Sequence, residues 1–359
     1  MNAGLIVIIL LLVLSILGIP IYLALGIGTL VALNMADMPF IVLPQKLFAG
    51  MNSSSLLAIP FFMLAGNIMS RSITGKLIDV SNALIGWIKG SLAVVTVLAS
   101  ALFGAISGSG VATASAVGGT TIPAMKEEGY PDHFAAAISG IAAILGPIIP
   151  PSITLIVYAS ITDLSVSKLF VGSVIPGILM AVGLIIYALF YGKKNDLPAH
   201  ERKSAKEVLL IFKDSIWALL MPVIILGGIF GGIFTPTESA AVAVVYALLV
   251  SLLIYKDIKI KDIPGIFVDG AISTATILLL VGISKSSGYV ITTSGLPHQV
   301  LEVFSSFTNS TVVILLLLNI LFLVIGMLME ANAAIIMMTP ILLPLLDAFG
   351  IDPLQFGIM

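Results

Sequence analysis

Long apolar segments separated by short polar ones dominate the chain, and none of them alternates with the two-residue period of a strand. Apolar runs at 5–33, 169–191, 216–234 and 312–328 are close to the roughly 20 residues that a helix needs to cross a bilayer. A transmembrane strand would instead show about ten residues of alternating polarity. The pattern therefore predicts an all-α polytopic membrane protein, whose N-terminal run is a retained first helix rather than a signal peptide.

Composition supports a protein surrounded by lipid. Apolar residues make up 59% of the chain and charged residues 9%, whereas soluble domains carry about 25% charged residues. The absence of cysteine excludes disulfides and thiolate metal sites. The sequence has no paired aspartates, HExxH motif or Ser/His pair of an intramembrane enzyme, and no polar stripe of a channel. We expect a secondary transporter, with no catalytic residue, no cofactor and no nucleic-acid partner.

Basic residues are concentrated in two places. Six of the sixteen lysines and arginines fall within 193–213, which the positive-inside rule assigns to a cytoplasmic loop. Three more, at Lys256, Lys259 and Lys261, mark a second cytoplasmic end if the break at 230–236 is a hairpin between spans. The loop at 193–213 separates a first half, 1–192, from a second half, 214–359.

The two halves share a pattern of glycines and prolines. In the second half this pattern recurs in the same order and with a nearly constant offset in numbering. The matched pairs are Gly75 and Gly295, Pro123 and Pro344, Gly129 and Gly350, and Phe134 and Phe356. Paired interrupted segments are typical of transporters with a site at the repeat interface. We predict two repeats, inverted if each has an odd number of spans, and a C-terminal portion beyond 359, because the counterpart of 146–152 would begin near residue 368.

The first interrupted segment is Ser107-Gly-Ser-Gly110, which lies between two apolar flanks. Each flank is too short to span comfortably, which predicts a re-entrant hairpin over about 90–125. Irregular backbone at membrane depth must be buried in protein or line a watery cavity, and Ser107 and Ser109 would supply hydroxyl oxygens there. The alternative is helix packing through small residues.

The second interrupted segment is Gly146-Pro-Ile-Ile-Pro-Pro-Ser152. Three prolines in five residues cannot lie inside a continuous helix, so we predict an unwound helix over about 133–160. Unwound carbonyls are suitable Na⁺ ligands, and Ser152 and Thr154 could add hydroxyls that face a substrate. A simple apolar loop is the alternative.

In the second half, Glu330 and Asn332 occupy the position that matches Ser107 and Ser109, in a hairpin predicted over about 312–346. Ionisable residues at membrane depth indicate function by default, unless the hairpin tip reaches the interface. Thr339 and Pro340 would open the returning helix.

Two further features have structural alternatives. Thr235-Pro236 followed by Glu238 is typical of a helix start, with threonine as the N-cap and proline at the first position. Lys285 lies in an apolar stretch, where its ammonium could meet a substrate carboxylate or snorkel to the interface.

At these motifs the sequence resembles the large membrane subunit (DctM-like) of tripartite ATP-independent periplasmic (TRAP) transporters. The resemblance spans the chain and is most specific at Gly-Gly-Ile-Phe-Thr-Pro-Thr-Glu238, Ser-Gly-Ser-Gly110 and Ile-Pro-Pro-Ser152. It implies a Na⁺-driven elevator in the bacterial inner membrane, surrounded by lipid. It also implies two partners, a small four-helix membrane subunit (DctQ-like) and a periplasmic substrate-binding protein (DctP-like).

The resemblance also implies ligands. One sodium site would use Ser107 with backbone oxygens around Gly146, Ile149 and Pro151, and a second would involve Glu330 and Asn332. Ser109 and Gly110 would face the substrate, an organic acid such as sialic acid or a C4-dicarboxylate. A single-component sodium/anion symporter or ion exchanger, which needs no binding protein, is the alternative function.

Overall fold

The computed structural model describes residues 2–308, 310–327 and 329–359, and this part of the chain is helical without any strand. The helices of the first half are α1 (Ala3–Ile16), α2 (Ile21–Met35), α3 (Val42–Met51), α4 (Ala58–Ser72), α5 (Thr74–Ile85), α6 (Ser91–Ser107), α7 (Gly110–Thr113), α8 (Gly119–Glu127), α9 (Asp132–Ala143), α10 (Leu145–Ile148), α11 (Ile153–Thr162) and α12 (Val166–Lys194). A short 3-10 turn, Ser54–Leu57, precedes α4, and a π-helical segment, Ala114–Gly118, joins α7 to α8.

The second half has fewer breaks. Its helices are α13 (Ala205–Phe230), α14 (Pro236–Leu249), α15 (Ile263–Thr293), α16 (Leu296–Phe307), α17 (Thr311–Gly326), α18 (Ala331–Ala348) and α19 (Pro353–Ile358). Helices α12, α13, α15 and α18, and α14 with its π-helical extension to Ile254, are long and apolar enough to cross a membrane. The prediction of an all-α polytopic membrane protein is confirmed.

Two predicted boundaries were wrong. The apolar run 5–33 is not one helix but two, α1 and α2, which are about 21 and 22 Å long and turn at Gly18, where φ is +84°. The polar segment 193–213 is mostly helical, so the linker shrinks to 195–204. Ser204 and Glu207 form a capping box that starts α13 inside the basic segment, because lysine and glutamate are good helix formers.

The helix boundaries follow the offset that the glycines and prolines indicated. The bounds of α5 and α6 correspond to those of α16 and α17, and the end of α8 corresponds to the end of α18, all with nearly that same offset. The packing also corresponds. Helix α4 packs on α14, and in the same way α15, the counterpart of α3 and α4, packs on α2, the counterpart of α14. The halves differ in one respect: α3 and α4 are bent by 62° at their break, whereas α15 is continuous. The inverted orientation of the repeats stays a prediction.

The basic segments predict an orientation of the molecule in the membrane. The positive-inside rule predicts that the lysines at 256–261 are cytoplasmic. Helix α15 begins just after them and is about 46 Å long, so this prediction puts its end on the periplasmic side. The C-terminus of α4 lies beside the start of α15, because Arg71 forms an ion pair with Asp269 at 2.9 Å and the Ser72 hydroxyl donates to Asp257 at 3.0 Å. The end of α4 and the start of α15 therefore lie on the same side of the molecule, which the predicted orientation makes the cytoplasmic side.

The linker 195–204 is bound to the loop between α5 and α6. Gly90 N–H donates to the Pro198 carbonyl, and His200 N–H donates to the Gly86 carbonyl, each at 3.0 Å. The His200 ring lies 2.9 Å from the carboxylate of Glu128 at the end of the first hairpin. Partial burial raises the pKa of Glu128, and the neighbouring His200 ring opposes that shift.

Candidate functional site

The first hairpin turns sharply between α6 and α7. Gly108 adopts a left-handed conformation with φ +63° and ψ +13°, and Ser109 is extended and caps α7 by accepting a hydrogen bond from Ala112 N–H at 3.3 Å. A Cβ atom on Gly108 would lie 2.5 Å from the Pro151 carbonyl oxygen. Glycine is therefore required at this turn by both its φ angle and its surroundings.

The tip of this hairpin packs directly on the broken helix. The backbone is unwound between α10 and α11, and the helical segments on either side are bent by 45°. Ile153 N–H donates to the Gly108 carbonyl at 3.2 Å. A Cβ atom on Gly146 would lie 2.7 Å from the Ser109 carbonyl oxygen, and one on Gly104 would lie 2.8 Å from the Gly146 Cα. The interrupted segments predicted at 107–110 and 146–152 are thus in backbone contact.

Three oxygens converge inside this contact. Ser107 is buried, and its hydroxyl lies 3.4 Å from the Thr113 hydroxyl. Thr113 donates to the Ser109 carbonyl at 2.7 Å, and Ser109 N–H donates to the Ser107 Oγ at 3.4 Å. Sequence reasoning missed Thr113, although its spacing of four residues from Ser109 places both on one face of a helix. Hydroxyl and carbonyl oxygens in an unwound region can hold Na⁺.

Ser152 has a structural role in this geometry. It is fully buried, its hydroxyl donates to the Pro147 carbonyl, and it accepts from Leu155 N–H at 3.1 Å as the N-cap of α11. A cavity adjoins the hairpin tips, and among the described residues it is not lined by Ser152, Thr154 or Gly110. Among the four residues predicted to face a substrate, Ser109 alone lines that cavity.

The second hairpin begins its returning helix with a carboxylate. Glu330 caps α18 and accepts hydrogen bonds from the backbone N–H groups of Asn332 at 3.0 Å and Ala333 at 3.3 Å, and from the Asn332 side-chain amide at 2.7 Å. The Oδ1 atom of Asn332 is buried without a hydrogen-bond partner among the described residues. Carbonyl oxygens in such positions are candidate cation ligands.

This geometry corrects two predictions for the second hairpin. Glu330, and not Asn332, is the counterpart of Ser109, since both cap the returning helix and their numbers differ by the offset that relates the two halves. Thr339 and Pro340 lie inside α18, which already starts at Ala331. The helix starts early because Glu330 satisfies its first N–H groups. The predicted segment 312–346 also includes Leu328, which lies outside the described residues.

Both hairpin tips line one cavity of about 860 Å³, to which Ser109, Glu330 and Asn332 contribute. The sequence did not indicate the opposite wall, because its polar residues are scattered singly along apolar helices. Polar side chains of that wall are Tyr22 from α2, Asn67 and Ser70 from α4, and Ser273 and Thr276 from α15. The α15 residues that line the cavity, 272–280, lie around the middle of that helix. The volume of the cavity is suitable for a small organic ligand.

Comparison with known proteins agrees with this architecture. The model of the family "Tripartite ATP-independent periplasmic transporter, DctM component" matches residues 8–359. The C4-dicarboxylate TRAP transporter large permease protein of Pseudomonas aeruginosa is 40% identical over 88% of this chain and 74% of its own length. The sialic acid TRAP transporter large permease protein of Vibrio cholerae is 35% identical over the same shares.

A third relative has a longer chain. The isethionate TRAP transporter permease protein DctMQ of Oleidesulfovibrio alaskensis is 36% identical over 95% of this chain, and the match covers 54% of that protein. Similarity to proteins with different named substrates extends over nearly the whole chain in each case. The likeness is therefore informative about the type of membrane component and not about one substrate.

Proposed function

Since the chain belongs to the DctM component family of tripartite ATP-independent periplasmic transporters, we propose that it imports an organic acid with Na⁺ as the coupling ion. The family consists of secondary transporters of the inner membrane rather than enzymes. It forms a tripartite system with a small membrane subunit and a periplasmic binding protein. Relatives named for a C4-dicarboxylate and for sialic acid make such carboxylates the first substrates to test.

The observation that carries this proposal is the shared cavity of the two hairpin tips. Each tip brings a helix N-terminus and oxygen atoms to the same 860 Å³ space. The helix N-terminus at the first tip attracts an anion, whereas that of α18 is already capped by Glu330. Asn332 Oδ1, which has no partner among the described residues, attracts a cation. A cavity that combines both is suited to hold a carboxylate together with Na⁺.

The proposed roles use this geometry. A first Na⁺ would bind beside the Ser107 and Thr113 hydroxyls, with backbone oxygens of the unwound helix around Gly146, Ile149 and Pro151 as further ligands. Ser109 would face the substrate carboxylate. A second Na⁺ would bind at the other tip, where Asn332 Oδ1 lacks a partner among the described residues and Glu330 provides a negative charge.

Coupling to Na⁺ offsets the electrostatic cost of importing an anion. Moving one negative charge into a cell with a negative interior costs about 2.3 kcal/mol per 100 mV. One Na⁺ cancels this cost for a monocarboxylate, and two reverse its sign. Two cation sites, one behind the first tip and one at the second tip, are therefore consistent with accumulation of an acid.

An elevator movement is supported by the way the cavity is divided. One wall consists of the hairpin tips, which pack on α9 to α11, and the other consists of α2, α4 and α15. Helix α15 is continuous, so it can provide a fixed surface along which the hairpins change their depth in the membrane.

Uptake into proteoliposomes tests the function directly. The chain would be reconstituted with its small membrane subunit, and radiolabelled succinate or N-acetylneuraminate would be added with and without the binding protein and an inward Na⁺ gradient. We expect uptake only when both are present. Uptake without the binding protein would favour the single-component symporter, and uptake without Na⁺ would contradict the coupling.

A further inference from the structure

A second large cavity adjoins the other half of α15. It has a volume of about 800 Å³ and is lined mainly by the end of α3, the turn after it and the last three turns of α15. Its polar lining residues include Lys46, Lys285, Tyr289, Thr292 and Asp163. The hairpin-tip residues Ser109, Glu330 and Asn332 do not line it.

The predicted orientation of α15 puts this cavity on the periplasmic side. Helix α15 begins at the cytoplasmic side, and Thr276 lines the cavity of the hairpin tips. Lys285 lies about 14 Å and Thr292 about 24 Å further along the helix axis. The same helix therefore contributes to two cavities, one around its middle and one near its C-terminal end.

The charges in this cavity favour an anion. Two lysines face one acidic side chain, Asp163, among the described lining residues. No carboxylate in the described part of the chain lies within 4.0 Å of either ammonium. The Lys46 ammonium lies 4.5 Å from the centre of the Tyr289 ring, which holds it at the cavity without neutralising it.

Lys285 is held in place by close packing of its stem. Helix α3 presents Gly50 to it, and a Cβ atom there would lie 2.6 Å from Lys285 Cγ. Helices α3 and α15 are also joined by Ser286, whose hydroxyl donates to the Leu43 carbonyl at 2.8 Å. A lysine that only snorkelled to the interface would not need a glycine opposite its stem. An ionisable residue at this depth that lines a cavity typically marks a substrate pathway.

We propose that this cavity is a periplasmic vestibule, in which Lys285 and Lys46 bind the carboxylate of the incoming substrate before the hairpin tips receive it. The inference rests on the proposed import of an organic acid. Its volume accommodates a sugar acid or a dicarboxylate. Lysines act there as point charges that raise the local concentration of an anion.

Cysteine reactivity tests the vestibule without any transport, because the chain has no cysteine of its own. Thr292→Cys would place a thiol in the cavity, and His298→Cys would place one outside it on the exposed start of α16. Each would react, from the periplasmic side of the reconstituted complex, with an anionic sulfonatoethyl and a cationic trimethylammonium-ethyl methanethiosulfonate. The rate ratio of the two reagents measures the local potential.

We expect the ratio of anionic to cationic rates to be about tenfold higher at position 292 than at position 298. Replacing both lysines, Lys46→Gln and Lys285→Gln, should remove that difference. Equal ratios at the two positions, or a difference that persists without the lysines, would overturn the assignment.

Transport gives a second and separate readout. With substrate-loaded binding protein as the variable, Lys285→Gln should raise the half-saturating concentration about tenfold and leave the maximal rate within about twofold. Lys285→Arg should restore the wild-type half-saturating concentration, and the control Lys261→Gln, at the predicted cytoplasmic side, should match wild type in both quantities. If the wild-type protein does not import the acid, the proposed function fails, but the thiol reactivity still measures whether the cavity attracts anions. If wild type imports it and Lys285→Gln is unchanged, the vestibule fails.

Discussion

The two hairpin tips face the same cavity, yet they are built in different ways. The first tip is uncharged and closed, with Gly108 and Gly146 in backbone contact distance of the neighbouring segment. The second tip carries a carboxylate, Glu330, that caps its own helix. It also leaves Asn332 Oδ1 without a partner among the described residues.

The difference assigns different physical tasks to the tips. Backbone packing holds the oxygens of the first tip in place before any ion arrives, so binding there loses little ordering entropy. At the second tip, a substrate carboxylate would meet the charge of Glu330, and like charges at close range repel. We expect the second tip to accept the substrate readily only when a cation lies between the two carboxylates.

The largest effect should come from disturbing the closed tip. In Gly146→Ala the new methyl group would lie 2.7 Å from the Ser109 carbonyl oxygen, and backbone cannot yield as a flexible side chain does. We expect a loss of about 1–3 kcal/mol of stability and of Na⁺-dependent uptake. Thermal unfolding in detergent and proteoliposome uptake measure the two effects.

Gly140→Ala is the matched control for this substitution. Gly140 lies on α9, and a Cβ atom there would have no neighbour within 4 Å among the described residues. This variant should be as stable as wild type or slightly more stable, because alanine favours helix. If Gly146→Ala transports normally, the close packing of the first tip is not needed for function.

An intermediate effect is expected from removing one oxygen of the first tip. Ser107→Ala deletes a buried hydroxyl that lies 3.4 Å from Thr113 Oγ1. Loss of one polar contact to a charged group is worth about 1.5–3 kcal/mol, so the half-saturating Na⁺ concentration should rise about ten- to hundredfold. Ser100→Ala, which removes another buried serine hydroxyl of α6, should leave it unchanged. An unaltered Na⁺ dependence in Ser107→Ala would exclude this ligand.

Sequence reasoning located the interruptions but not their contacts. Pro150 breaks a helix through local sterics, and Gly108 favours a left-handed turn because it has no Cβ. Both breaks of the first site could therefore be predicted directly from the sequence. The contact between Gly146 and Ser109 depends on tertiary packing, and no local pattern encodes it. The sequence analysis matched Ser109 to Asn332 instead of Glu330, an error of two residues. The equivalence is defined by which residue caps the returning helix, and residue type does not reveal it.

The second tip should respond least to substitution, and its response separates capping from ion binding. Glu330→Gln keeps an oxygen that can accept from Asn332 N–H, but it removes the charge near the cavity. A helix N-terminal charge is worth about 0.3–1 kcal/mol, so we expect the half-saturating Na⁺ concentration to rise about two- to fivefold. Because less charge then opposes the substrate, its affinity at low Na⁺ should increase.

The control is Glu238→Gln, since Glu238 also accepts a hydrogen bond at a helix N-terminus, from Thr235 N–H at 2.8 Å, but does not line the cavity. If both variants lower the unfolding temperature slightly and neither changes the Na⁺ dependence, Glu330 is a cap and nothing more. If Glu330→Gln alone changes the Na⁺ dependence, the charge of the second tip acts on the ion. The repulsion argument additionally requires that the gain in substrate affinity disappear at saturating Na⁺, because a bound cation already neutralises the wild-type carboxylate.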